Sequence, residues 1–175
     1  ESRWLGPRTM YRVTRDGLKF SEHDIPVNST VIACFGEIDG RCHVQLQSIK
    51  RNINIDEIIY ELILNYIKAL LINSNEYKII VMGIVPPPYH DSAYNNPDFP
   101  FIGDNNERSI IVKKMNSLLE KECINNNLLF INVHELYADE NGMLPVHLGD
   151  WDDGHGVHIK ATDRLRTHLK NNNLI

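Results

Sequence analysis

Cysteine is scarce in this sequence: Cys34, Cys42 and Cys123 are the only 3 among 175 residues. They are scattered and none forms a CxxC pair, which excludes a disulfide framework. Free thiols in a reducing compartment follow, and a cytoplasmic location is the expectation. Excess positive charge is missing as well. A formal net charge of -5 and a pI of about 5.9 offer no general attraction to phosphate backbones or anionic lipid, so neither nucleic acid nor a membrane surface is an expected partner. A small or carbohydrate-like substrate is easier to accommodate. Long hydrophobic runs are absent too. The richest stretch, Ile58 to Ile72, is interrupted by Glu61, Asn65 and Lys68, and falls short of a membrane span. The chain opens on Glu1 rather than Met, which leaves room for an upstream stretch, a signal peptide included.

What is present is an ordinary globular composition, 42% hydrophobic and 23% charged, suited to one domain over residues 1–175. Thr30 to Phe35 is a short apolar run with β-branched residues, closed by Gly36. Ile79 to Val85, stopped by Pro86, Pro87 and Pro88, and Leu128 to Val133 repeat the pattern. Such runs predict strands buried on both faces, and hence parallel neighbours in one sheet. Between them, Asp56 can cap a helix whose Ile58, Ile59, Leu62, Ile63, Tyr66, Ile67 and Leu70 share a face. A second helix begins near Glu107 with Ile111, Met115, Leu118 and Leu119, and a third follows Thr162 with Leu165 and Leu169. This alternation predicts an α/β fold, a three-layer α/β/α, doubly wound and mainly parallel sheet. Met10 to Val13 reads as a short strand and Asp16-Gly17 as a turn. The Pro-rich stretch from Pro86 to Pro100, with Tyr89, His90, Tyr94 and Phe99, then Phe101, is too aromatic for a connector. It reads as a substrate wall or lid.

In open parallel sheets ligands bind beyond the carboxyl ends of the strands. The first run is followed there by Gly36-Glu37-Ile38-Asp39-Gly40-Arg41-Cys42-His43. This is either a solvated loop with local ion pairs or part of a site. Near the C-terminus lies Gly149-Asp150-Trp151-Asp152-Asp153-Gly154-His155-Gly156-Val157-His158-Ile159. A carboxylate shortly before a histidine can fold back onto its Nδ1 and leave Nε2 as a base. The same residues also fit a capped turn. A divalent metal on His155, His158 and the nearby aspartates is a third reading, although the spacing matches no helix-borne zinc pattern. His134-Glu135 also follows a strand.

The order of Trp4-Leu5-Gly6-Pro7-Arg8-Thr9-Met10-Tyr11-Arg12, the Gly17 turn, Gly36-Glu37-Ile38-Asp39, the Pro-rich loop and the final Asp-rich turn with His158-Ile159 resembles SGNH/GDSL hydrolases. It is most similar to small members found beside carbohydrate genes, and the likeness runs over nearly the whole chain. The resemblance implies a flavodoxin-like fold and an esterase or acyltransferase acting on a short acyl ester of a carbohydrate, with no cofactor. Gly17 would supply a backbone donor to the oxyanion, and Gly36 and Asp39 match the ends of the Gly-x-Asn-Asp block. Glu37, Arg41 and His43 join them as substrate-binding or oxyanion candidates. His158 would be the general base. The orienting acid usually stands three positions before that histidine, where this chain has His155, so Asp153 or Asp152 is expected to substitute.

Two departures accompany the likeness. Ile38 stands where the block has asparagine and cannot donate to an oxyanion, so Arg41, His43 or a backbone N–H must replace it; losing one such donor costs about 10²–10³ in rate. No serine lies in a Gly-Asp-Ser context. The expectation is therefore a domain that lacks its first strand, with the nucleophile supplied upstream of Glu1. The alternative is a non-catalytic glycan- or partner-binding domain of the same fold. Acyl group, acceptor and oligomeric state are not encoded in any motif.

Overall fold

A computed structural model describes residues 5–6, 8–92, 97–150, 156–160 and 163–174. The apolar runs form a 3-stranded sheet in the order β1-β2-β3, comprising β1 (Thr30–Cys34), β2 (Lys78–Met82) and β3 (Leu129–Ile131). Both pairings are parallel, with Ile32 opposite Ile80 and Val81 opposite Phe130. Helices cover both faces, as the alternation of runs and amphipathic stretches predicts. Successive side chains of β2 point to opposite faces. Ile79 and Val81 enter the main core, made with α1 (Met10–Asp16), α3 (Ile55–Leu71) and α4 (Asn105–Asn125). Ile80 enters a smaller core with Ile131 and Val133, against which Leu165 and Leu169 of α6 (Asp163–Asn171) pack.

The helices begin where a side chain can serve the free N–H groups of their first turn. Asn54, rather than Asp56, caps α3 by accepting from the Asp56 N–H at 2.8 Å. Asp104 and Glu107 form a reciprocal capping box on α4. The apolar face read for α3 is buried from Ile58 to Leu70. The third strand is shorter than expected, because Asn132 caps α5 (Val133–Tyr137) and turns Val133 into a helical residue.

Three expectations are corrected. Met10 to Val13 is helix, not strand: Thr9 Oγ1 accepts from Arg12 N–H at 3.0 Å, Asp39 accepts from Met10 N–H, and Gly17 ends the helix at φ 76°. Residues 37–43 are not a loop but a helical segment that runs through a π-type turn (Asp39–His43) into α2 (Val44–Arg51). Finally, only β2 is buried through its centre, from Ile79 to Val81. In β1, Ala33 is buried while Val31 and Ile32 are half-buried, since β1 has a neighbour on one side only among the described residues.

Just past β2 the chain leaves the ladder, and Asn116 takes over as its partner. Its Oδ1 accepts from Ile84 N–H at 2.7 Å and its Nδ2 donates to Ile84 O at 2.9 Å. Asn116→Ala strands two buried backbone groups, and urea denaturation is expected to show a loss of about 2–4 kcal/mol. A loss under about 0.5 kcal/mol would show that water serves Ile84 equally well.

Candidate functional site

The carboxyl end of the sheet opens into a cleft of about 1290 Å³ that runs back along β1. Gly6, Gly36, Glu37, Arg41, Phe99 and His158 all line it. Gly36 makes the first turn after β1 with φ 110°, and a Cβ there would lie 2.8 Å from both Ile84 Cγ1 and Met10 Cε. Only glycine fits both the angle and the space. Gly6, at φ 72°, has open space where a Cβ would stand.

Asp39 is fully buried. Its Oδ2 accepts from Met10 N–H at 2.7 Å and its Oδ1 from Tyr11 N–H at 3.4 Å. Two N–H groups of the first turn of α1 are thereby satisfied by a residue beyond the end of β1. The stretch ahead of α1 is pinned beside Gly36 as a result. Asp39 does not line the cleft, so its expected role in contacting substrate gives way to one of positioning. His43 stands behind it, with Nδ1 3.8 Å from Asp39 Oδ1 and its ring centroid 6.1 Å from that of Phe99. It is outside the cleft lining too.

Arg41 and Glu37 face each other one helical turn apart, with Nε donating at 2.6 Å and Nη2 at 3.3 Å. Arg41 also donates to Phe99 O and lies 5.0 Å from the Phe101 ring centroid. The fully buried Arg108 guanidinium stands at the same 5.0 Å from that ring, and burial lowers its pKa. Phe101 is thus held between two cations. Tyr89 is equally committed, since its hydroxyl donates to Asp139 Oδ2 at 2.6 Å and accepts from Asn141 Nδ2 at 3.2 Å. The aromatic wall read from the Pro-rich stretch contracts, among the described residues, to Asp98 and Phe99. Tyr94 lies outside the described residues.

His158 reaches the cleft on a hairpin, not on a loop before the last helix. Its strand, β5 (His158–Ile159), pairs antiparallel with β4 (Gly149–Asp150), and His158 is opposite Asp150. Directly opposed residues project from the same face. His158 is exposed and shares the cleft with Glu37, Arg41 and Gly36. Asp152, Asp153 and His155, the residues read as orienting acids or metal ligands, lie outside the described residues. Among the described residues no cluster of three or more His, Cys, Asp or Glu could hold a metal ion. Gly17 sits at the C-terminal end of α1, away from the end that Asp39 holds, and does not line the cleft. Gly6 does line it, as Gly36 does, and its Gly-Pro pair after Leu5 stands in the sequence.

Solved structures with a similar fold include one of known description. It is a GDSL-like lipase from Bacteroides thetaiotaomicron, 18% identical, with a TM-score of 0.58 over 95% of this chain and 71% of that one. The fold is that of a GDSL-like lipase. No protein-family model matches the sequence, and no curated protein does. At this identity the likeness carries the mainly parallel sheet and its flanking helices.

In this chain the described cleft residues include one thiol, Cys34, and it is a poor nucleophile. Its Sγ lies 3.6 Å from Met82 Sδ, and although the residue is exposed on the cleft, desolvation by the apolar groups packed around it pushes its pKa up to about 11. Thiolate, not thiol, attacks. With the pKa four units above pH 7, alkylation by iodoacetamide is expected at roughly 10⁻⁴ of its limiting rate and to rise about tenfold per pH unit toward pH 11. Peptide mass spectrometry on Cys34 would read this, and a plateau by pH 8 would contradict it. The hydroxyls among the described lining residues, Ser29 and Thr30, enter at the opposite end of β1, roughly 20 Å of extended chain away from Gly36.

Among the described residues no helix is long and apolar enough to cross a membrane.

Proposed function

We propose that this chain is the histidine-bearing part of an ester hydrolase or acyltransferase that acts on a short acyl ester, an O-acetyl group on a sugar, through an acyl-enzyme intermediate. The observation that carries the reading is His158 opening on the same cleft as Gly6, Gly36 and Glu37 at the carboxyl end of a parallel sheet. His158 acts as general base, taking the proton of a serine hydroxyl as it attacks the acyl carbon and returning it to the departing sugar oxygen. The serine comes from sequence upstream of Glu1. What supports this, among the described cleft residues, is the raised pKa of Cys34 and the place of Ser29 and Thr30 at the other end of β1.

An acid must hold the imidazole in its tautomer. Asp150 is the candidate favoured by register, because it opposes His158 across the hairpin, and it joins Asp152 and Asp153, which the spacing proposes. Ile38 lines the cleft without a donor, and Arg41 is committed to Glu37 and Phe99. Backbone N–H groups at Gly6 and Gly36 are the remaining oxyanion candidates. Phe99 offers an apolar surface for a sugar face.

The test compares this chain, the chain completed at its N-terminus and completed variants, on p-nitrophenyl acetate and acetylated xylan. The completed protein is expected to turn over and the given chain to be nearly inactive. His158→Ala is expected to lose about 10⁴-fold or more in kcat. Among Asp150→Asn, Asp152→Asn and Asp153→Asn, one alone is expected to lose about 10⁴-fold. Equal turnover by all forms would end the serine-hydrolase reading. Glycan binding without turnover by the completed protein would favour a binding domain, and turnover abolished by chelators would favour a metal on His155 and His158.

A further inference from the structure

His134 is a buried histidine that the proposed chemistry does not use. It is 6% exposed, and its Nε2 is shut away from solvent with no hydrogen-bond partner among the described residues. An imidazole nitrogen left unpaired in the interior costs free energy, and the cost rises steeply once the ring carries a proton. Its surroundings oppose that proton. Desolvation acts most strongly and the Lys113 ammonium of α4 next, against weaker support from the Gly142 backbone and from Glu135 of α5, so the pKa is held below the ordinary 6.5.

The ring stands where α4, α5 and the turn after α5 meet. Ser109 Oγ of α4 donates to Asn141 O in that turn at 2.8 Å, and a Cβ on Gly142 would lie 2.5 Å from Lys113 Nζ. The acids of the turn are occupied elsewhere or face water. Asp139 accepts from the Tyr89 hydroxyl and from the Asn141 and Met143 N–H groups, and Glu140 is exposed. α5 in turn braces the cleft. Tyr137 OH donates to Lys160 O at 3.1 Å, Arg164 Nη1 of α6 donates to Leu136 O at 2.6 Å, and Ala138 N–H closes the helix on His134 O at 2.9 Å. Lys160 follows β5 directly, and its own N–H extends the hairpin by donating to Leu148 O at 2.9 Å. A disturbance at His134 therefore reaches the strand of His158 through one short helix and one tyrosine.

We propose that His134 is an acid-sensitive latch: neutral, it lets α5 seat against α4 and brace the β4–β5 hairpin, and protonated, it drives α5 from that seat and releases the strand that carries His158. The imidazolium gains water by leaving and escapes the Lys113 ammonium, and Leu136 and Tyr137 move with it. Opened forms bind the proton more readily than the closed one. The brace is thus complete above pH 6.5 and is lost as the pH falls from there through the lowered pKa of the closed form. That the latch regulates turnover rests on His158 being the base; the latch itself does not.

Hydrogen exchange on the given chain reads the latch without any substrate. Protection factors, which remove the intrinsic pH dependence of exchange, are compared at pH 7.5 and pH 5. Those of Ala138 and Lys160 are expected to fall severalfold, one proton giving at most about tenfold per pH unit, while those of Ile80 and Val81 in β2 hold constant. His134→Gln is expected to abolish the fall. Lys113→Met keeps the ring and is expected to make the fall shallower, because the closed form then resists the proton less. Constant protection of Ala138 and Lys160 in the unaltered chain overturns the latch, and so does an equal fall in His134→Gln, which would point to His147, His158 or His168 instead. If His134→Gln does not fold, Lys113→Met decides, and a fall as deep as that of the unaltered chain overturns the proposal. Absence of ester turnover by the N-terminally completed protein at either pH removes the base reading and leaves the latch standing.

Discussion

The Asp39 carboxylate is buried, and it is tolerable there because the first turn of α1 presents N–H groups to it. A carboxylate out of water without such donors costs several kcal/mol. The pairing therefore works in both directions: α1 has an N-terminus because Asp39 is there, and Asp39 can be interior because α1 is. Everything at the mouth of the cleft follows. The stretch carrying Gly6 and Arg8 is held beside the turn at Gly36, and the helical segment from Glu37 into α2 is fixed against Met10. Asp39→Ala removes an anchor rather than a contact to any ligand.

The sheet and its long helices were legible because their signals are local. Continuous β-branched runs give β1, β2 and β3, and the Ile58 to Leu70 spacing gives α3, without knowledge of any distant residue. The misreadings share one cause. The first turn of α1 depends on a carboxylate 29 positions away, so Met10 to Val13 taken alone looks extended. Glu37 to His43 looks like a charged loop because its helical state depends on where Arg41 can bury its guanidinium, and that place is made by Phe99 and Phe101. The half-burial of β1 was illegible in principle: an apolar run states that apolar cover is wanted, not which segment provides it. His158 was singled out from the Asp-rich turn, but its place on β5 opposite Asp150 is a matter of register. Gly17 drew attention over Gly6 because both are turn glycines, and only the packing decides which one meets the cleft.

The wall of the cleft is stiffened by an arrangement that reads oddly on paper. Two guanidiniums flank one phenylalanine, Arg41 with a carboxylate partner and Arg108 held by Gly103 O and Asn105 Oδ1. Neither cation is available as a loose anion trap. Their planar, many-toothed hydrogen bonding ties the 99–105 segment to α2's entry and to the start of α4, and a lysine at either place would reach one acceptor where the arginine reaches several.

The two layers that clamp the sheet are unequal. Beneath the α1, α3 and α4 face lies the main core, whereas α6 contains no buried residue and leans on the sheet through Leu165 and Leu169. Opening free energies within one protein differ from region to region in this way, so the roof over the His158 side of the cleft loosens at lower temperature than the floor. Such a protein ages in two stages. Warmth loosens the α6 side of the cleft first, while spectroscopic signatures of the main core persist, and a melting curve overstates the temperature at which the cleft is still whole.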